Sequence, residues 1–418
     1  MSAGSDPGSL VRPLHVVESW PPVTTGYTQR SAALVAAQDR RPDLAPRVLV
    51  SSRQLGYGEA EVASQVAGAD LTGRVRAAAG SPRERRMRQL RRPAVDASAL
   101  SRDIAAAVDA LGADLLHVHW SSSIARAAAA VARARGLPLV AEVRFDLAGA
   151  VTAQTARVPA GPLRDRLERV LRRRFEAHLL AADGVVAASA SLAAQLERVL
   201  PTLAGRVAVA ANGVEPERFA PGPPDPALAA ALGLTGRLVL GTTSTMLRYE
   251  GLDLLLEAAA RLRGAYPTLS VLLVGDGPEF ANLRQQASRL GVPLVLTGRV
   301  PPQDVGAHYR LLDVMVLPRR DLSVTRYAGP LKLVEALCTG RACVASAVGD
   351  IPTLLADDRG VLVPPGDLLA LVDALDALLA DPSRRAALGA AGSAWARTAA
   401  TWDAAAAVHR EVYDRVLA

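Results

Sequence analysis

The chain has 418 residues, half of them hydrophobic, which suffices for about two domains with full cores. No run of 18 or more apolar residues occurs, excluding a membrane-spanning helix, and the opening residues lack the basic-then-apolar order of a secretory signal. Two cysteines, Cys338 and Cys343, are too few for a disulfide framework or a zinc site, and they fit a reducing cytosol as buried fillers.

The net charge of +7 is concentrated in two runs. Arg83–Arg92 carries six arginines and one glutamate, and Arg164–Arg174 carries six against Asp165 and Glu168. Aromatic residues are scarce near both, so stacking on single-stranded nucleic acid is disfavoured and no nucleic-acid partner is expected. A solvated face, an anionic membrane surface and a phosphorylated substrate stay open as readings.

In chain order, Leu14–Val17 forms a strand, followed by the loop from Pro21 to Tyr27 and a helix from about Thr28 to Gln38. Gly26 in that loop lets backbone approach a ligand phosphate. No G-x-G-x-x-G fingerprint follows a strand, which argues against a nicotinamide or flavin site. Asp114–Trp120 is a strand with His117 and His119 on one face, and Leu137–Arg144 is another. Open parallel sheets bind ligands beyond the C-terminal ends of their strands, where His119, Glu142 and Arg144 are expected. A helix over 163–180, a strand over 184–189, a helix over 191–200 and a strand over 207–211 follow. The cluster Pro221-Gly222-Pro223-Pro224-Asp225-Pro226 reads as a linker.

Strand and helix alternate again beyond it. Leu238–Gly241 leads into a Thr/Ser loop, then Arg248-Tyr249-Glu250-Gly251 and a helix from Leu252. Strands over 269–274, 294–296, 314–317 and 360–363 follow, and the chain finishes in helices. Two βα arrays predict two doubly wound α/β domains, with a ligand cleft between them.

The segment Pro318–Asp350 organises the second array. Gly329-Pro330 starts a helix whose apolar face is Leu331, Val334 and Leu337, and Gly340 ends it. Lys332, the only lysine of the chain, falls in the first turn, where a cation opposes the helix dipole. An anion between the lysine and the free amides reverses that sign and makes a phosphate site. Glu335 lies on the same face, able to accept both hydroxyls of a ribose or to pair with Lys332 on a plain helix surface.

Several of these stretches together resemble glycosyltransferase family 4, retaining nucleotide-sugar transferases of the GT-B fold. Asn212-Gly213-Val214-Glu215 with Phe219 is similar to N-G-V-D-x-x-x-F. Tyr249–Leu255 is similar to a K-G-x-D-x-L stretch, and Val274–Pro278 and Gly298–Val300 to V-G-x-G-P and G-x-V loops. Pro330–Leu337 resembles P-L-K-x-x-E-A-M. Pro22–Arg30 is similar to a P-x-x-S-G-Y-x-x-R subgroup found with exopolysaccharide enzymes. The resemblance implies an acceptor-side Rossmann-like domain over 1–220, a linker over 221–236 and a nucleotide-sugar domain over 237–395. It implies a helix over 396–418 that packs back toward the first domain.

It also implies site residues. Glu335 binds the ribose; Lys332 and the amides at Pro330 and Leu331 hold the diphosphate; Gly277, Arg299 and Val300 line the base pocket. Gly26 lies under the donor phosphate, Gly241 opens the donor loop, and His119 lies near the reacting sugar, with Glu142 the acid of the first domain. Two departures stand out. Tyr327 occupies the position of the first glutamate of E-x7-E, and Glu250 precedes Gly251 where lysine is usual, leaving Arg248 as the nearest cation of that loop.

The expected activity is retaining hexosyl transfer from a nucleotide diphosphate sugar to a sugar, lipid-linked or small-molecule acceptor. It needs no cofactor and no metal, because no D-x-D ends a strand. The expected setting is cytoplasmic, with peripheral contact to anionic membrane. A weak or inactive glycosyltransferase-like binding subunit, a same-fold sugar-nucleotide epimerase and a nucleic-acid-associated protein are the rival readings.

Overall fold

The computed structural model describes residues 9–21, 25–51, 65–66, 69–78, 81, 96–119, 121–146, 149, 151 and 159–418. The arginine run Arg83–Arg92 lies outside them. The chain divides into two compact units, Met1–Ala211 with Trp402–Ala418, and Asn212–Thr401.

The first unit is built on β1 (Pro13–Val17), β2 (Arg47–Val50), a small antiparallel pair β3 (Gln65–Val66) and β4 (Ala69–Asp70), β5 (Val75–Ala77), β6 (Leu115–His119), β7 (Leu139–Val143), β8 (Gly184–Ala187) and β9 (Val207–Val209). Seven of these form one parallel sheet in the order β5-β2-β1-β6-β7-β8-β9. The central strands are wholly buried, as their near-continuous apolar runs require in a sheet covered on both faces. Local chemistry fixes the ends of the helix Ala97–Leu111: Asp96 Oδ1 accepts from Ser98 N at 3.0 Å, and Gly112 closes it in the left-handed region. The order of strands reverses between β1 and β6, the switch point of this sheet.

The second unit contains β10 (Leu238–Ser244), β11 (Leu269–Gly275), β12 (Leu294–Leu296), β13 (Val314–Leu317), β14 (Ala342–Ser346) and β15 (Val361–Val363). They form a parallel sheet in the order β12-β11-β10-β13-β14-β15, with its switch point between β10 and β13. Leucines and valines from both faces of this sheet pack under the helices Leu252–Leu262 and Leu368–Ala380 on one side, and Leu331–Cys338 on the other. Cys338 and Cys343 are buried there.

Three boundaries differ from the sequence reading. The proline cluster belongs to the second unit: Asp225 caps the short helix Pro226–Ala231, and Arg341 donates to the carbonyl of Gly222 at 3.3 Å. Extended proline-rich chain packs when neighbours supply donors for its carbonyls. The helix Pro382–Ala399 also stays in that unit, its Ser393 hydroxyl donating to the Cys338 carbonyl at 3.0 Å, so the final helix proper is Trp402–Leu417. The Thr/Ser stretch after Gly241 is strand rather than loop, since β10 runs on to Ser244 in register with Gly275.

Candidate functional site

In the second unit, ionisable groups gather at the C-terminal ends of β10 and β13. The chain leaves β13 through Pro318 into Arg319, and leaves β10 through a turn that ends at Glu250. Gly251 has φ 69°, and a Cβ there would stand 1.9 Å from the Pro318 carbonyl oxygen, so the two loops are clamped together. That clamp sets Glu250 against two cations. Lys332 Nζ lies 2.9 Å from Glu250 Oε2, and Arg319 donates to both carboxylate oxygens at 3.3 Å. Arg319 also donates to the Ala328 carbonyl at 3.1 Å. Burial alone would push the Glu250 carboxyl up, but Lys332 and Arg319 outweigh it and hold the group at about 2. Burial in turn draws the Lys332 ammonium down, against the pull of Glu250.

Glu335 is one turn further on and is not the partner of Lys332. The Tyr309 hydroxyl donates to its Oε2 at 3.0 Å and is itself 2.6 Å from Thr243 Oγ1 on β10. Desolvation raises the Glu335 carboxyl to about 7, only partly offset by Tyr309, Arg218 and Lys332. Its Oε1 is uncommitted among the described residues. The turn before this helix is fixed by Asn212, whose amide donates to the Gly329 carbonyl at 2.8 Å.

The first unit places a different cluster at its own switch point. Register sets His15 of β1 beside His117 of β6, and His119 beside Glu142 of β7. Glu142 is fully buried and takes four donors on two oxygens: Arg144 at 2.6 Å, Arg30 at 2.9 Å, and His117 and His409 at 3.1 Å each. Burial would raise this carboxyl, but the two guanidiniums and the two imidazoles keep it well below the usual range.

The remaining polar atoms form a closed circuit. Arg144 donates to His119 Nδ1, which leaves the proton on Nε2 for His15 Nδ1 at 2.8 Å. His15 Nε2 then donates to Gln38 Oε1 at 2.7 Å, and Gln38 Nε2 to the Tyr413 hydroxyl at 3.1 Å. Tyr413 donates to His117 Nδ1 at 2.5 Å, and His117 returns to Glu142. Burial first, and neighbouring positive groups second, lower His15 and His119 well below 6.5; burial takes His117 down to about 4. The spacing of His15, His117 and His119 would suit a metal, but the circuit occupies the nitrogens that would ligate it.

The sequence matches two family models, Glycosyltransferase Family 4 over residues 56–218 and Glycosyl transferases group 1 over residues 237–381. A D-inositol 3-phosphate glycosyltransferase of Frankia alni is 34% identical over 68% of this chain and 72% of its own length. The chain belongs to glycosyltransferase family 4. A GDP-mannose-dependent alpha-(1-6)-phosphatidylinositol monomannoside mannosyltransferase of Mycolicibacterium smegmatis is 36% identical, the match covering 44% of this chain and 50% of that protein. The chain thus spans about half the length of the mannosyltransferases it matches. Among solved structures, sucrose-phosphate synthase of Thermosynechococcus elongatus superposes with a TM-score of 0.71 at 20% identity, over 96% of this chain and 98% of that one. Anabaena HepE in complex with UDP and glucose gives 0.65 at 19%, over the same shares. These likenesses establish the GT-B fold, with its two Rossmann-like domains.

Of the residues that the family resemblance implies, Lys332 and Glu335 share the switch-point cluster of the second unit. Pro330 caps their helix, and Leu331 opens it, half-buried. Gly277 is required by close approach, because a Cβ would meet the Thr245 carbonyl oxygen at 1.8 Å; it ties the loop after β11 to the loop after β10. Arg299 is exposed, 4.0 Å from Asp276, and Val300 packs half-buried beside the core. Arg248 is exposed, while Arg319 lies against Glu250, so the cation that shares Glu250 with Lys332 is Arg319.

Three of the expected site residues are tied into the fold. Gly241 is interior to β10, where a Cβ would strike the Leu272 carbonyl oxygen at 2.1 Å, so it serves sheet packing and not a donor loop. Glu142 has no spare oxygen to act as an acid or base. His119 is buried with both ring nitrogens partnered, as a member of the circuit. Gly26 is exposed at the start of its helix with open space where a Cβ would stand, in a different unit from Lys332.

The sequence reading missed Arg319, Tyr309, Arg30 and His409. Arg319 had a signal, its place directly beyond a strand end at a switch point. Arg30 had one too, the last position of the Pro22–Arg30 motif. Tyr309 and His409 had none, because each reaches its carboxylate from a distant helix.

Proposed function

We propose that this protein is a hexosyl transferase that moves a sugar from a nucleotide diphosphate sugar to an acceptor hydroxyl, with retention and without a metal ion. The observation that carries the reading is Glu335: a carboxylate at a sheet switch point, one oxygen held by Tyr309 and the other free for a ribose hydroxyl. Lys332, backed by Arg319, would offset charge on the one phosphate it meets as the diphosphate leaves, the main electrostatic demand of the reaction. With Glu142 fully engaged, a glycosyl–enzyme bond on it is disfavoured, and attack on the face the diphosphate leaves gives retention. Full turnover in excess chelator is expected; dependence on added magnesium or manganese would reject the metal-free reading.

The decisive experiment is titration of an intact nucleotide into wild type and Glu335→Gln. The substitution should weaken ribonucleotide binding by about 1–3 kcal/mol and affect a 2′-deoxynucleotide less. Equal affinity in the two proteins would mean that the ribose lies elsewhere.

The acceptor side is proposed to face an anionic membrane from the cytoplasm. The helix Pro162–Leu180 exposes Leu163 (73%), Leu167 and Val170 among its arginines, the composition of an interfacial helix. The relatives' names supply a chemistry that fits, an inositol carrying phosphate, free or in a lipid. Co-sedimentation with anionic but not neutral vesicles at low salt is expected; equal recovery with both would leave the helix a solvated face.

A further inference from the structure

The first turn of the helix Leu331–Cys338 needs an anion beside Lys332, because a cation alone opposes the helix dipole. The structure shows which anion is there. Glu250 Oε2 stands 2.9 Å from Lys332 Nζ, and both Glu250 oxygens are held by Arg319. We propose that Glu250 is a built-in counter-ion occupying the place of a ligand phosphate, so that this site discriminates against a second phosphate charge. The inference rests on reading the switch-point cluster as the donor site.

The charges support it directly. Lys332 and Arg319 are two cations and Glu250 is one carboxylate, held ionised by them, so these three groups carry at most a single net positive charge, which the neighbouring Glu335 lowers further whenever it is ionised. Glu250 cannot withdraw by moving its backbone, since Gly251 is locked against the Pro318 carbonyl and Arg320 N donates to the Tyr249 carbonyl at 3.0 Å. A phosphate that contacts Lys332 must therefore rotate the Glu250 side chain away or accept its repulsion. At a few ångströms in a partly buried site, such repulsion is large enough to cancel most of the gain from an added phosphate. The favoured ligand carries one phosphodiester charge at Lys332, with any further phosphate left to exposed cations such as Arg248.

The test compares GMP with GDP, and UMP with UDP, by calorimetric titration into wild type and Glu250→Gln. In wild type the second phosphate should tighten binding by about tenfold or less, and in Glu250→Gln by at least about tenfold more than that. A gain above tenfold in wild type overturns the proposal without any variant, which matters if Glu250→Gln does not fold. So does a folded Glu250→Gln with the wild-type ratio, the behaviour of a carboxylate that only supports structure. If wild type binds none of these nucleotides nor ADP, CDP or dTDP, the donor-site reading falls and this inference with it; if it binds them and only the ratio fails, the donor site stands alone.

Discussion

Glu142 and Glu250 are the same device in two units: a buried carboxylate near a sheet switch point, clasped by two cations. Around Glu142 every participant is committed. Arg30 also donates to the Ala210 carbonyl at 2.7 Å, Arg144 to the Ser31 hydroxyl at 2.8 Å, and two histidines take the remaining oxygen. Around Glu250 the set is open. Lys332 has one described ion-pair partner and keeps 15% of its side chain exposed, and Glu335 beside it has an uncommitted oxygen. A saturated cluster fixes a fold, joining the terminal helix to the sheet through His409 and Tyr413. An unsaturated one, in which cations are held by a removable partner, is where a charged ligand can enter.

The contrast predicts where substitutions act. Glu142→Gln strands two buried guanidiniums and should cost about 3–5 kcal/mol of stability in denaturant titration. A loss under about 1 kcal/mol would show that the cluster is not saturated after all. Lys332→Ala should instead lower turnover by about 100-fold while nucleoside affinity changes little, because its charge acts chiefly on the leaving group. An effect on binding alone, with turnover intact, would make Lys332 a binding cation only.

Acid sharpens the comparison further. His15, His117 and His119 have lowered folded values, so the unfolded chain takes up protons first and the first unit loses stability as pH falls below 6.5. For His117 alone the slope is about 1.4 kcal/mol per pH unit, ending at about 4, where the folded form also protonates. Glu142, lowered as a carboxyl, adds to the loss at still lower pH. Glu335 has the opposite sign. Raised to about 7, it favours the folded state increasingly as pH falls from 7 toward the ordinary carboxyl value of 4.5. Hydrogen exchange at pH 7 and pH 5, corrected for intrinsic rates, should show protection falling in β6 and β7 and held in the helix Leu331–Cys338. Parallel loss in both would erase the distinction.

Much of the site was legible because it is written locally. Proline, lysine and glutamate over Pro330–Glu335 announce a helix start, a charge in the wrong half of its dipole and a carboxylate on the same face, and all three are where spacing put them. The alternation of strand and helix likewise announced two doubly wound sheets, since period and turn chemistry need no distant partner. His117 and His119 were legible as one face of a strand, but their role was not. Whether a histidine faces a ligand or a neighbour depends on what the next strand and a helix nearly 300 residues away bring to it, as the separations of 104 residues to His15 and 296 to Tyr413 show.

The sequence by itself determined the two βα arrays, the Lys332–Glu335 turn and the substitution of glutamate for lysine before Gly251. Only the tertiary structure decided what those residues do. Glu250 reads in sequence as a lost cation. Folded, it becomes the anion that Lys332 requires, because the close packing of Gly251 on Pro318 carries it across from the end of one strand to the end of its neighbour. Charge pairing between strand ends is set by sheet order and loop contact, and neither is a property of spacing along the chain.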